Sequence, residues 1–282
     1  MSASLEIGAA PVVGDAEFAF FRDLIRTRTG IALKDCKRSL VAARLGRRLR
    51  ALGLGSYRAY RMLLETSDPS GGELGLMINC ITTNKTSFFR EEAHFAVLAR
   101  SIAAAGRAGQ EIYRIWSAAC STGEEPYSIA IAALETCRTM EIRILASDID
   151  TDVLAKGRDA VYPMEALEGM DSQVIHRYFL RGCAENQGRV QVKPIVRGLV
   201  TFRHINLIAE SWPIQTRFDA IFCRNVIIYF GRDTQKRMFE RMADYLAPGG
   251  LLFVGHAESL FWLNGLFAPA GDSVYRVRQP MP

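Results

Sequence analysis

The 282-residue chain lacks any apolar run approaching the roughly 20 residues that a membrane helix needs. Its apolar stretches are short; Ala220–Cys223 and Val226–Phe230, for example, are separated by Arg224 and Asn225. It also lacks closely paired cysteines: Cys36, Cys80, Cys120, Cys137, Cys183 and Cys223 stand far apart, with no CxxC. That argues against a zinc ribbon or a disulfide scaffold and fits a reducing cytosol. The opening segment, MSASLEIGAAPVVGDAEF, has no basic flank before an apolar core and carries Glu6, so a secretory signal is not expected. Internal repeats and low-complexity tracts are absent too. What is present is ordinary for a globular protein: 49% hydrophobic and 23% charged residues. The length corresponds to two domains of about 150 residues.

The net charge of +5 is unevenly placed. Residues 1–80 carry 12 Lys/Arg against 8 Asp/Glu, whereas residues 81–282 are nearly balanced at 23 against 22. Within 34–61 there are nine basic residues (Lys34, Lys37, Arg38, Arg44, Arg47, Arg48, Arg50, Arg58, Arg61) and one acid, Asp35. The chain is not generally basic; it has one basic segment.

Helical spacing dominates the first part. In Asp15–Arg28 the apolar positions are Phe18, Phe21, Leu24 and Ile25, and Thr29-Gly30 ends the pattern. Val41, Leu45, Leu49 and Leu52 share one side of a helical wheel. Arg44, Arg47 and Arg50 spread over the other side, and Arg48 borders the stripe. Gly53-Leu54-Gly55 is a stop, Ser56 a candidate N-cap, Tyr57–Thr66 a short helix, and Gly71–Asn79 the start of another. A small all-helical domain is expected over residues 1–85. The remainder, 86–282, changes grammar. Strands are expected at Glu111–Ser117, Ile142–Ser147, Phe218–Cys223 and Leu251–Val254, and helices at Glu124–Cys137, Asp150–Asp159 and Asp233–Leu246. Alternation of this kind implies an α/β fold with a doubly wound parallel sheet. Between about 171 and 204 the alternation breaks. Arg189–Lys193 and Leu199–His204 read as antiparallel strands of a small β insertion.

After the first strand comes Ala118-Ala119-Cys120-Ser121-Thr122-Gly123-Glu124-Glu125-Pro126. The residues are small, and Pro126 suits a first helical turn. In a doubly wound sheet this loop is the usual nucleotide crevice, although it lacks GxGxxG and could equally be a tight turn. Asp148 follows the second strand directly. An acid there can accept hydrogen bonds from both ribose hydroxyls, or it can cap a helix, as Asp150 equally could. Loop and acid together favour an adenosine-containing ligand without choosing between NAD and S-adenosylmethionine.

Longer motifs occur in order: TTNKTSFFRE (82–91), IWSAACSTGEEPYSIA (115–130), ASDIDTDVLAKGRDAVY (146–162), FDAIFCRNVIIYF (218–230) and LAPGGLLFVGHAESL (246–260). Over nearly the whole chain this set resembles the chemotaxis receptor methyltransferase (CheR) family. The resemblance implies a class I S-adenosylmethionine-dependent methyltransferase sheet behind a helical docking domain. The acceptor would be a glutamate of a methyl-accepting chemoreceptor, the product a glutamate methyl ester, and the by-product S-adenosylhomocysteine. By motif position, Asn84, Thr86 and Arg90 would face the methionine part of the cofactor, with Glu125 and Asp148 the acids beside it. Asn206 and Leu207 would lie at the adenine end, Arg224 and Asn225 after the fourth strand, and Arg90 and Tyr229 would orient the reacting groups. A non-catalytic relative that binds S-adenosylmethionine or receptors is the alternative.

The chemistry is consistent with this inventory. A glutamate carboxylate, with a reference pKa of about 4.3, is already ionised at neutral pH. Displacement at a sulfonium methyl therefore needs no general base, and His94, His176, His204 and His256 need no catalytic role; no metal is expected. On composition alone the basic segment reads as a solvated helix face, and nucleic acid is disfavoured by the lack of interleaved exposed aromatics and of a reader motif. Given the resemblance, Arg44, Arg47, Arg48 and Arg50 are the expected docking contacts for an acidic receptor helix. In the family the β insertion can grip a receptor C-terminal peptide through a Gly-x-Gly loop. Here Gly182-Cys183-Ala184 departs from that pattern, which points to action without the tether. A cytoplasmic monomer is expected.

Overall fold

The computed structural model describes residues 12–278; Glu6 and the signal-peptide question lie outside the described residues. The chain separates into two compact units, dividing between Thr83 and Asn84.

The first unit contains α1 (Asp15–Thr29), α2 (Arg38–Ala51), α3 (Tyr57–Thr66) and α4 (Gly72–Ile81). Gly30 stops α1 in the left-handed conformation, φ 75°, which a glycine adopts without strain. Ser56 caps α3 by accepting from Ala59 N at 3.2 Å. Phe18, Phe21 and Ile25 of α1 are buried with Val41, Leu45 and Leu49 of α2, Tyr57 and Tyr60 of α3, and Met77 of α4. At roughly 1.5–3 kcal/mol for each large apolar side chain buried, this apolar set drives the unit's assembly. Leu52, the last member of the expected stripe, is exposed because α2 ends at Ala51.

The second unit contains α5 (Ala93–Arg107), β1 (Ile112–Ala118), α6 (Glu124–Thr136), β2 (Glu141–Asp148), α7 (Thr151–Asp159), β3 (Val161–Pro163), α8 (Ser172–Tyr178), β4 (Phe179–Arg181), β5 (Arg189–Val192), α9 (Pro194–Arg197), β6 (Val200–His204), β7 (Phe218–Phe222), α10 (Arg232–Asp244), β8 (Leu246–Phe253), β9 (Phe267–Gly271) and β10 (Val274–Val277). Seven strands form one sheet in the order β6-β2-β1-β7-β8-β10-β9. The first five are parallel, and β10 runs antiparallel to both its neighbours. Helix-covered parallel strands are buried on both faces, which accounts for the near-continuous burial of Ile115–Ala118 and Ala220–Cys223. Phe222 and Phe253 stack across β7 and β8 with centroids 4.2 Å apart.

Two local expectations change. The Leu199–His204 segment is not part of the β insertion. Its strand, β6, pairs parallel with β2 and forms the edge of the main sheet. The small antiparallel sheet is instead β3-β5-β4, so it draws on Val161–Pro163 and ends at Val192. The strand foreseen at Leu251–Val254 starts earlier, at Leu246. Its register jumps from Phe218↔Leu246 to Ala220↔Leu251, so the Pro248-Gly249-Gly250 turn becomes a bulge inside β8.

The strand order reverses between β1 and β7. Connections from these strands leave in opposite directions, opening a crevice at their carboxyl ends.

Candidate active site

The loop from β1 to α6 forms one wall of the crevice. Ala119 N and Cys120 N donate to the Ser147 carbonyl, at 2.8 and 2.9 Å, tying the loop to the end of β2. Ala119, Ser121 and Gly123 all have positive φ, 70°, 50° and 100°. A Cβ on Gly123 would lie 2.8 Å from Tyr162 Oη and 3.1 Å from Gly157 Cα, so only glycine fits. Asp148 is nine-tenths buried behind this loop. Its Oδ2 accepts from Ser121 N at 2.9 Å and its Oδ1 from Asp150 N at 3.0 Å. Burial raises the pKa of its carboxyl, opposed by hydrogen bonds from the backbone of Asp150, Ser121 and Ile149. Asp150 fills the capping role: its Oδ1 accepts from Asp152 N and Val153 N, while Oδ2 accepts from Asn84 Nδ2 at 2.7 Å. The Asn84 carbonyl in turn accepts from Ser121 Oγ at 3.1 Å. The cap and the expected ribose acid are thus two different aspartates, joined through one loop.

Arg224, immediately after β7, organises the opposite wall. Its side chain is 1% exposed. The guanidinium donates to Glu91 Oε2 from Nε and Nη2, at 3.3 and 3.0 Å, to Glu125 Oε2 from Nη1 at 3.0 Å, and to the Arg90 carbonyl. Glu125 also accepts from Ser117 Oγ at 2.7 Å. Burial pushes the Glu125 carboxyl up, against the pull of the Arg224 charge. For Glu91 burial again raises the pKa, but here the Arg224 charge and the hydrogen bonds from Arg224, Asn225 and His256 N outweigh it and hold the carboxyl below its usual range. One guanidinium between two carboxylates leaves an excess of negative charge, an environment that favours a cationic ligand.

Asn225 takes φ 57°, and its Nδ2 donates to Glu91 Oε1 at 3.2 Å. Glu258, 4% exposed, accepts from Asn225 N at 2.8 Å, Gly255 N at 2.7 Å and Ile227 N at 3.0 Å. It therefore splints the loop after β7 to the loop after β8. Tyr229 closes the short turn that follows, half-buried beside exposed Ile228. Arg90 is half-buried, donates from Nη1 to the Lys85 carbonyl at 2.9 Å, and makes no ion pair with Glu91 or Glu92 among the described residues. Thr86 lies half-buried in the irregular segment between Asn84 and Arg90. Asn206 and Leu207 follow β6; Ile205 N donates to the Asp148 carbonyl at 3.1 Å, which brings them to the Asp148 end. His94 is fully buried with Nε2 3.2 Å from the Asp272 carbonyl; burial first, then the Arg224 charge, push its pKa down to about 4, so the ring is neutral at physiological pH.

Asn84, Arg90, Glu125, Asp148, Arg224 and Asn225 are therefore brought together through shared partners. Glu91, Ser117, Ser121 and Glu258 belong to the same network and were not singled out by the sequence. Glu91 stands next to Arg90 and invited pairing with it, and Glu258 stands inside the fifth motif without a neighbour that marks it. The inventory also fits S-adenosylmethionine chemically: a buried acid for ribose hydroxyls, a loop of small residues, and an anionic surplus for a sulfonium.

The four arginines of the basic helix divide. Arg44 donates to the Ile81 carbonyl, to the Thr82 carbonyl at 2.9 Å and to Thr83 Oγ1 at 3.1 Å. Arg48 grips Glu73 bidentately at 2.9 and 2.6 Å, and Glu73 also accepts from Tyr60 Oη at 2.7 Å. Both are engaged within the first unit, so of the four expected docking contacts they offer fewer free donors to a partner. The stripe border that Arg48 occupies puts its stem against the core and its head on Glu73. Arg47 and Arg50 are exposed.

Two family models match the chain: "CheR methyltransferase, all-alpha domain" over residues 16–82 and "CheR methyltransferase, SAM binding domain" over residues 84–275. A chemotaxis protein methyltransferase 2 from Pseudomonas aeruginosa is 46% identical, covering 94% of this chain and 97% of that protein. A chemotaxis protein methyltransferase from Escherichia coli is 46% identical over 93% of this chain and 91% of that protein. A probable chemotaxis protein methyltransferase from Rhizobium etli is 39% identical over 90% and 96%.

Proposed function

The chain belongs to the CheR family of S-adenosylmethionine-dependent methyltransferases of chemotaxis, and on that premise we propose that its acceptor is a glutamate side chain on the cytoplasmic helices of a chemoreceptor. The product is a glutamate γ-methyl ester. The observation that carries this reading is the Glu91–Arg224–Glu125 cluster joined, at the carboxyl ends of β1 and β7, to the loop whose backbone holds Asp148.

When bound, S-adenosylmethionine supplies a methyl group already activated on a sulfonium. Asp148 would hold the ribose hydroxyls with its remaining lone pairs, Asn206 and Leu207 would border the adenine, and Asn84 and Thr86 would line the amino-acid end. Glu125 and Glu91, sharing Arg224, provide the negative field that receives a cation; Asn225 fixes Glu91. Arg90 orients the incoming carboxylate through its remaining guanidinium donors, and Tyr229 offers a phenol to the second carboxylate oxygen. Transfer of that methyl to a carboxylate oxygen would leave the bonding electron pair on sulfur. No proton moves, so positioning is the main contribution, worth several of the roughly 7–11 kcal/mol that good alignment can supply.

In the first unit, exposed Arg47 and Arg50 serve as contacts for an acidic receptor helix, contributing rate and register more than affinity. Among the described residues no helix is long and apolar enough to cross a membrane. A cytoplasmic monomer is proposed.

Tritiated S-adenosylmethionine and a receptor cytoplasmic fragment test the reading. Release of volatile labelled methanol by base is the expected result. Cofactor binding with no transfer to any receptor fragment would instead indicate a non-catalytic relative.

A further inference from the structure

His94 and His256 flank the Arg224 cluster and have no part in the transfer proposed above. Their rings lie 5.0 Å apart at 79°. The Nε2 of His94 is 3.2 Å from the Asp272 carbonyl, so the donor proton belongs on Nε2 and Nδ1 keeps a lone pair. That Nδ1 is fully buried and has no protein hydrogen-bond partner. It faces Glu91 Oε2 at 3.6 Å. Two acceptors thus confront each other in a buried place, an arrangement that costs free energy unless something positive lies between them. A water donating to both at about 2.8 Å would want them roughly 4.4 Å apart. Ligands about 2.0–2.1 Å from a tetrahedral zinc ion lie about 3.4 Å apart, close to the observed separation. One ring nitrogen of the exposed His256 completes a set whose atoms all lie within 4.8 Å of one another.

We infer that Glu91, His94 and His256 form a binding site for a borderline transition-metal ion, zinc(II) above all, which shares Glu91 with the Arg224 cluster. Two imidazoles and one carboxylate, with a fourth position open to water, are a familiar zinc donor set. Magnesium and calcium prefer oxygen ligands throughout, so they are disfavoured here. The carbonyl that holds His94 Nε2 is the outer support that fixes the ring orientation of a metal-bound histidine. Glu91 Oε2 also accepts from Arg224, so an incoming ion competes with that guanidinium for the same oxygen. This competition makes the site weaker than a structural zinc centre and makes ion binding a means of loosening the Arg224 wall.

The test uses the full chain titrated with cobalt(II) alone, then with zinc(II). One equivalent should bind and give tetrahedral ligand-field bands in the visible, displaced by zinc. No thiolate-to-cobalt band should appear, although all six cysteines are free. His256→Ala keeps the backbone N–H that holds Glu91 and should weaken binding at least tenfold, since losing even a group that supports a ligand costs roughly 10–100-fold. His94→Gln should do the same, judged only if its unfolding midpoint shows a folded protein. His176→Ala, at a histidine remote in sequence on α8, should bind as the parent does. Equal binding by His256→Ala and the parent, a dominant thiolate band, or no binding of either ion would overturn the proposal.

Discussion

Charge reversal at two adjacent arginines should separate docking from stability. Arg48 and Glu73 make a two-bond ion pair with side chains 19% and 10% exposed, and Glu73 also holds the hydroxyl of fully buried Tyr60. Removing one member of a buried pair costs about 3–5 kcal/mol. The residual exposure of Arg48 discounts this, so Arg48→Ala should cost about 2–3 kcal/mol. Arg48→Glu adds repulsion between two carboxylates and should cost more. In a unit of this size each kcal/mol lowers the midpoint by about 4–8 °C, so the first unit should melt at least about 10 °C earlier. Arg47→Glu, exposed and without such partners among those described, should change stability by no more than about 0.5 kcal/mol. Its effect should fall on receptor methylation, slowing it at low salt. The deficit should shrink as the screening length drops from about 30 Å at 0.01 M to about 8 Å at 0.15 M. Urea unfolding followed by circular dichroism and initial methylation rates across ionic strength give the two readouts. Equal unfolding midpoints for Arg47→Glu and Arg48→Glu would refute the structural reading of Arg48. Salt-independent, undiminished methylation by Arg47→Glu would refute docking.

Asp148→Asn should weaken S-adenosylmethionine binding about 10–100-fold by calorimetry, the loss of charge-assisted bonds worth about 1.5–3 kcal/mol. Because burial raises the Asp148 pKa, binding by the parent should also weaken as pH falls into the range where that carboxyl protonates, a dependence Asp148→Asn should lack. Arg224→Lys keeps the charge but cannot fork between Glu91, Glu125 and the Arg90 carbonyl, so thermal unfolding should show a loss of about 2–4 kcal/mol. Tyr113 has its pKa pushed up by burial to about 12. Between about pH 10 and 12 the unfolded chain loses this proton and the folded chain keeps it, so stability falls as pH rises, by roughly 2–3 kcal/mol that Tyr113→Phe should not lose. Ala184 holds φ 51° in the loop between β4 and β5, so Ala184→Gly should stabilise by about 1 kcal/mol in urea unfolding. If that residue is what excludes a receptor tail, the variant alone should bind a receptor C-terminal peptide.

Much of the fold was legible because its signals are local. Gly30 and Ser56 mark the ends of helices through their own backbone or side chain. The apolar stripe of α2 is a one-dimensional pattern that survives folding. What was misread depends on pairing. Leu199–His204 has the composition of a strand, but nothing in five residues tells whether it joins a neighbouring hairpin or runs parallel to β2, nearly sixty residues earlier. The bulge in β8 was hidden for the same reason. A Pro-Gly-Gly turn looks like an end, and only the register with β7 shows that the strand resumes pairing on both sides of it.

The site divides along a similar line. Residue type and motif order pointed to acids and arginines, several of which the fold joins in one network. Partnership was not readable, because a charge is satisfied by whatever the fold brings to it. Arg90 and Glu91 are neighbours in sequence, yet Glu91 takes φ 58° and turns to Arg224, 133 residues away, while Arg90 lends Arg224 only its carbonyl. A left-handed backbone at a non-glycine residue costs of order 1–3 kcal/mol and persists only where the surroundings hold it. Here the surroundings are the Arg224 fork, the Asn225 amide and the His256 N–H, all closing on one carboxylate. The fork offsets the strain, and the turn it stabilises leaves the Arg90 guanidinium bonded to the Lys85 carbonyl rather than to Glu91. Had Glu91 paired with Arg90, Arg224 and Glu125 would be left as a neutral pair, and the Arg90 guanidinium, proposed above to orient the acceptor carboxylate, would already be occupied.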